Sequence, residues 1–238
     1  MTLRLLGAIQ FLTVFPIHRD TGPPGRAVPF YPLVGAVLGL LGAAILLALR
    51  PAVPAAGLLV LLFWVLATGA LHEDAIADCA DAFRAHRTPE KIHAILKDPH
   101  IGVFGVLALL FSLLLRWQAI EHLESRLFET FAASFAISRT APVVLAWITA
   151  PYGEGSGRVI ADSLTTPAVI ATIALALLAA APLHIYALPL VTGAAALTTG
   201  ARAYFTSRLG GVNGDCLGAL NQVTEIYCLI VCACFFYD

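Results

Sequence analysis

The sequence predicts an all-α fold: a polytopic integral membrane helical bundle of about seven transmembrane helices, plus a short N-terminal interfacial or re-entrant helix. Three observations carry this. Hydrophobic residues make up 59% of the 238-residue chain and charged residues only 12%, with a mean hydropathy of +0.86, whereas soluble domains carry about 25% charged residues. The apolar residues gather in runs of membrane-crossing length instead of alternating with polar ones. Between the runs lie polar connections over which Lys and Arg are unevenly spread. With no internal repeat and no low-complexity segment, residues 1–238 are expected to form a single membrane-embedded domain.

In chain order, Arg4 and the apolar run Leu5 to Ile17 have the look of a signal-peptide core. No small-x-small cleavage site precedes His18-Arg19-Asp20, so the run is expected to be retained, and it is short for a full span. A Pro- and Gly-rich loop, 18–32, follows. The expected spans are 33–49, 54–71, 102–117, 127–150, 167–183, 184–200 and 223–237. The fifth and sixth, split by Pro182 and His184, read as a tight hairpin or as one broken element. Gly35 and Gly39 form a G-x-x-x-G, a sign of close helix packing.

With the N-terminus in the cytoplasm, cytoplasmic segments hold Arg4, Arg19, Arg26, Arg84, Arg87, Lys91, Lys97, Arg158, Arg202 and Arg208, and the outside holds Arg50, Arg116 and Arg126. That orientation also puts the polar connections 72–100, 151–166 and 201–222 on one side. Arg139 is left inside the fourth span, where it reads as a site residue or as half of an interhelical ion pair. A net charge of −1 gives no footprint for nucleic acid. The five cysteines form no C-x-x-C pair, and neither a disulfide framework nor a zinc site is expected.

The chemistry concentrates in Leu71-His72-Glu73-Asp74-Ala75-Ile76-Ala77-Asp78-Cys79-Ala80-Asp81, which holds four of the 15 acidic residues. On a helix, Asp74, Asp78 and Asp81 fall within roughly 60° of one another, with Ile76, Ala80 and Phe83 on the opposite side. Like charges one turn apart repel, so a cation is expected against the stripe. Clustered hard oxygens suit Mg²⁺, which binds few carboxylates and leaves room for substrate phosphates. Glu73 is counted with Asp74, Asp78 and Asp81 as a metal ligand. The plain alternative is a solvated acidic face; an EF-hand does not fit, because the spacing is helical and no loop Gly is present.

A carboxylate cluster with cations nearby is what phosphoryl transfer requires. Lys97 and Asp98 are candidate catalytic residues because Gly102 and Gly105 follow and allow close backbone approach to a ligand. Arg84, Arg87 and Lys91 read equally well as anchors to anionic lipid. His72 is a candidate general base or an ordinary helix-end histidine. Arg208 leads into Gly210, Gly211, Gly214 and Asp215, whose amides and carboxylate suit a phosphate or metal, or else a plain turn. Glu225 is placed at the start of the last span, where it needs a partner.

Five segments in order across nearly the whole chain resemble the cobalamin synthase (adenosylcobinamide-GDP ribazoletransferase) family. They are Phe11-Leu12-Thr13-Val14-Phe15-Pro16; Phe30-Tyr31-Pro32-Leu33-Val34-Gly35 with Gly39; the acidic stretch 71–81; Lys97-Asp98 with Ile101-Gly102 and Phe104-Gly105; and Leu209-Gly210-Gly211 with Gly214-Asp215 and Leu217-Gly218-Ala219. Two positions depart from the family: Ala75 stands where Gly is usual, and Gln222 where Glu is usual.

The resemblance implies an Mg²⁺-dependent enzyme of the cytoplasmic (inner) membrane, multi-pass, with its active-site loops on the cytoplasmic side. It would join adenosylcobinamide-GDP to α-ribazole or α-ribazole 5′-phosphate and release GMP. The partners implied are those substrates, the lipid bilayer, and a second copy or other cobalamin-assembly enzymes. Asp74, Asp78 and Asp81 would hold the metal, one of them or His72 would take the proton, and Lys97, Arg139 or Arg208 would stabilise the leaving GMP. A CDP-alcohol phosphotransferase fits less well, since its D-G-x-x-A-R is absent. An ion or proton transporter using buried carboxylates is the alternative from another class, but no repeat is visible.

Overall fold

A computed structural model of the chain describes residues 1–84 and 88–236; Arg87 and the last residue of the expected 223–237 span lie outside them. In hydrocarbon every backbone polar group needs an internal partner, which favours helices. The described residues form α1 (Thr2–Leu12), α2 (Tyr31–Leu49), α3 (Ala56–Thr68), α4 (Leu71–Ala82), α5 (Pro89–Leu96), α6 (Val103–Glu121), α7 (Leu127–Ile148), α8 (Ser156–Ser163), α9 (Thr166–Ala180), α10 (Ala187–Leu209) and α11 (Gly214–Phe235). Large apolar side chains point outward from α2, α3 and α6, among them Leu41, Leu62 and Phe111, while Arg116, Arg139, Glu73 and Glu225 are buried. This inside-out distribution is that of a protein whose solvent is lipid.

Each of the seven apolar segments is helical, as an all-α polytopic bundle requires. Five stretches are long and apolar enough to cross a membrane, or six if the bent pair α3–α4 is one span. The stretch 166–209 enters that count once, although it breaks at His184, where φ is 55°. Ile173 and Leu177 of α9 wall the same cavity as Val191 and Thr198 of α10, so the chain doubles back at the break as a hairpin. With 15 residues, α9 rises only about 22 Å, short of a hydrocarbon core of about 30 Å. The N-terminal helix has 11 residues, also too few to cross.

Two boundaries move. The last helix starts at Gly214 instead of near 223, because Asn213 caps it, its Oδ1 accepting from the Cys216 N–H at 3.0 Å. Its polar first turns hid it from a hydropathy reading. The α10 helix runs on to Leu209 and stops at left-handed Gly210 (φ 79°). The third polar connection therefore shrinks to 210–213, and Glu225 lies inside α11.

The packing follows from small residues. Gly35 and Gly39 set α2 against the α7 backbone, where a Cβ would meet the carbonyls of Phe135 and Phe131. Trp64 of α3 fits against Gly42 and donates its ring N–H to the Leu38 carbonyl at 2.9 Å. One end of the bundle gathers the start of α6 at Asp81, a Pro151–Val212 bridge and the start of α8 against that of α11. Tyr204 also bonds the Phe83 carbonyl there, at 3.3 Å. The three polar connections thus meet at one end. At the other end Arg50 donates to the Leu123 and Glu121 carbonyls at 2.7 and 2.8 Å, and Arg126 to the Pro182 carbonyl at 3.2 Å.

Candidate active site

Between α3 and α4 the chain turns by 88° at Gly69 and Ala70, both left-handed (φ 64° and 57°). The loop after α1 packs into this elbow: Val14 N–H bonds the Ala67 carbonyl at 2.9 Å, and its side chain lies where a Cβ on Gly69 would go. The elbow aims α4 between α6 and α11. There Ala75 fills the space opposite Gly218, where a Cβ on Gly218 would meet it. Ala75 therefore acts through helix packing as well as at the cavity wall.

The cavity at this junction measures about 120 Å³. It is bordered by Phe11, Leu12 and Tyr31, by His72, Asp74 and Ala75 of α4, and by Arg139, Pro142 and Val143 of α7. Ser156 and Ile160 of α8 and Gly214, Asp215, Leu217, Gly218 and Asn221 of α11 complete it. Asp74 is exposed at its mouth, and His72 is buried. The N-termini of α8 and α11 open beside it at Ser156 and Gly214, an arrangement that favours anions through unpaired N–H groups and helix dipoles.

The carboxylates crowd together here. Asp78 lies within electrostatic reach of Asp74, Asp81 and Asp215, and Asp215 within reach of Asp74. Asp215 accepts from the Asn213 side chain at 2.9 Å. Asp81 accepts from the Gly102 N–H at 2.6 Å, at the start of α6. Among the described residues no group of three or more His, Cys, Asp or Glu side chains stands at metal-binding spacing. Mg²⁺ takes one or two carboxylates and completes its shell with water and phosphate oxygens, so a Mg²⁺ site here would need only a pair of these hard oxygen donors and not a full protein cage.

Glu73 is not part of this set, and its grouping with the three aspartates is corrected. It points to the opposite side of α4 and pairs through Oε1 with Arg116 Nη1 at 2.6 Å. Arg116 Nη2 lies 2.7 Å from Glu225 Oε1, and Glu225 Oε2 pairs with Arg139 Nη1. Two cations and two anions thus balance in a buried tetrad joining α4, α6, α7 and α11. Gln222 sits beside it, donating to Ser112 Oγ at 2.8 Å and more weakly to Glu73 at 3.4 Å. This departure from the family therefore falls in the charge network, not among the aspartates. Arg116 is buried in α6 instead of lying on the outer surface; an Arg at the end of an apolar run ordinarily reaches the interface, so its local sequence did not mark it as buried. Arg139 pairs with Glu225, the interhelical ion pair of the plain reading, and also borders the cavity.

The other candidates lie apart from the cavity. Lys97 ends α5 and is exposed. Asp98, also exposed, accepts from the backbone N–H of His100 at 3.0 Å and contacts its ring at 2.6 Å, and these bonds hold its carboxyl below the usual range. Gly102 and Gly105 do permit a close approach, but it is that of the Asp81 carboxylate, which a Cβ at either position would strike. Arg208 lies in the last turn of α10 and Gly210 ends that helix. Gly211 packs on the Ala150 carbonyl. Of that glycine group only Gly214, with Asp215, reaches the cavity. Ser156, from the polar 151–166 connection that reads in the sequence as a lid or substrate loop, borders the cavity, as does Asn221, which the sequence did not single out.

Residues 4–233 match the family model described as cobalamin-5-phosphate synthase. Curated relatives that the chain resembles include the adenosylcobinamide-GDP ribazoletransferase of Geotalea daltonii, 33% identical over 94% of this chain and 94% of the relative. Those of Ralstonia nicotianae (35% identical, 94% and 92% covered) and Pseudomonas paraeruginosa (36%, 96% and 97%) bear the same description. No solved structure matches the chain.

Proposed function

Because this chain belongs to the cobalamin-5-phosphate synthase family, enzymes of cobalamin synthesis, we propose that it joins adenosylcobinamide-GDP to α-ribazole or its 5′-phosphate by phosphoryl transfer. A ribose-moiety hydroxyl of the acceptor attacks the phosphorus nearer cobinamide. The new P–O bond forms as the bond to GMP breaks, GMP takes the electron pair, and the hydroxyl proton passes to a base. The observation that carries this reading is the cavity whose mouth holds Asp74 and Asp215 beside two helix N-termini and whose walls are largely apolar.

Two of Asp74, Asp78 and Asp215 would hold Mg²⁺, with Asp81 on the same face of α4 and bonded to the Gly102 N–H. When bound, Mg²⁺ neutralises a diphosphate and acts as a Lewis acid on its oxygens. The amides at Ser156 and Gly214 orient the diphosphate. His72 or an aspartate not engaged by metal accepts the proton. Arg139 borders the cavity whereas Lys97 is exposed away from it, so Arg139 is the cation proposed to contact the phosphates of the leaving GMP.

The protein is further proposed to sit in the cytoplasmic membrane with the active-site end toward the cytoplasm. With Arg116 removed to the interior, the opposite side keeps only Arg50 and Arg126, which sharpens the positive-inside bias. The test is GMP release by the purified protein in detergent, with Mg²⁺ and adenosylcobinamide-GDP. GMP is expected to appear only when α-ribazole or its 5′-phosphate is added; no release with either acceptor overturns the proposal.

A further inference from the structure

One polar side chain in the cavity has no assigned task. Asn221 is 1% exposed, borders the cavity, and has no hydrogen-bond partner at either its Nδ2 or its Oδ1 among the described residues. A buried amide with both ends unsatisfied is costly unless a ligand completes it. It lies deep on the α11 face that carries Gly214, Leu217 and Gly218. The seven residues back to Gly214 rise about 10 Å, roughly the length of a nucleoside. The apolar part of the cavity lining includes Leu12, Pro142 and Val143, with Phe11 and Tyr31 stacked on each other (centroids 5.5 Å apart, planes 6° apart), and the polar part includes Asp74 and Asp215.

We propose that Asn221 marks the subsite for the acceptor's base, with the base held deep and the ribose directed toward Asp74 and Asp215. This inference rests on the reaction proposed above. The argument is one of matched polarity. The base of α-ribazole is a dimethylbenzimidazole joined to ribose through one ring nitrogen. It keeps one acceptor nitrogen and no donor, and the rest is apolar and flat. One amide donor in an apolar, aromatic-edged pocket satisfies it, with Oδ1 left to accept from a ribose hydroxyl. The guanine of the donor substrate presents several donors and acceptors, more than the single Asn221 amide can match, and those left over against the apolar lining would be unsatisfied. Guanine therefore sits outside this pocket.

The experiment is two-substrate kinetics on the full-length enzyme in detergent, comparing wild type with Asn221→Leu. The KM for α-ribazole is expected to rise at least tenfold, equivalent to about 1.4 kcal/mol, while the KM for adenosylcobinamide-GDP stays within twofold. A matching or larger rise for adenosylcobinamide-GDP, or no change for α-ribazole, overturns the subsite while leaving the reaction intact. Should Asn221→Leu fail to fold, wild type supplies the same decision through inhibition by free 5,6-dimethylbenzimidazole. Competition against α-ribazole and not against adenosylcobinamide-GDP supports the subsite; the reverse pattern, or no inhibition at saturating base, overturns it. A wild-type enzyme inactive with both acceptors would overturn the reaction itself, and the subsite with it.

Discussion

Replacing Glu225 by Gln tests the buried tetrad. Glu225 touches two guanidinium groups, Arg116 at 2.7 Å and Arg139 through its other oxygen. With charge centres about 4 Å apart and an effective dielectric near 20, each pair is worth roughly 4 kcal/mol before desolvation is counted. After desolvation, breaking a buried pair by removing one partner costs about 3–5 kcal/mol. For a domain of this size that is a fall in Tm of about 6–20 °C, read by thermal unfolding in detergent. Glu73→Gln removes a single pair and leaves Arg116 on Glu225, so its fall should be about half as large. The charge count gives a sharper check. Arg116→Met leaves two anions against Arg139; adding Glu73→Gln restores one of each. The double variant should therefore melt above Arg116→Met alone. A double variant that melts lower, or a Glu225→Gln protein within about 2 °C of wild type, would refute the account of these residues as a mutually neutralising group.

Asp78→Asn should lower GMP release by on the order of 100-fold or more while the melting temperature holds; retained turnover would remove Asp78 from the metal set. Chelation by EDTA should abolish activity, with Mg²⁺ or Mn²⁺ restoring it and Ca²⁺ failing, because Ca²⁺ wants more oxygens than these carboxylates offer; restoration by Ca²⁺ at equal rate would count against the site. Gly105→Ala should push α6 away from Asp81 and Ala77 and cost about 1–3 kcal/mol of stability, seen as a lower melting temperature; an unchanged value would mean the α4–α6 contact is looser than described.

Local pattern accounts for the helices. Long apolar runs demand internally bonded backbone in lipid, and all seven appear as helices. The stretches of crossing length are five or six against seven apolar runs because hydropathy measures composition, while crossing also depends on length and direction. The start of α11 was missed for a related reason: a helix that carries Asp215 and Asn221 to the cavity and Gln222 to the charge network does not look like a membrane helix.

The sequence by itself determined that the chain is a helical membrane protein, that Asp74, Asp78 and Asp81 share one helix face, and which family its motifs resemble. These are properties of composition and of neighbours within a few turns, which 3.6-residue periodicity encodes directly. Only the tertiary structure decided that Glu73 leaves the aspartates for Arg116, that Arg139 meets Glu225, and that Asn221 faces the same cavity as Asp74. These partnerships cross 43 and 86 residues of chain for the two ion pairs. They depend on which helix faces are pressed together, and that is set by the elbow at Gly69 and Ala70 and by small residues at the helix contacts, not by spacing along the chain.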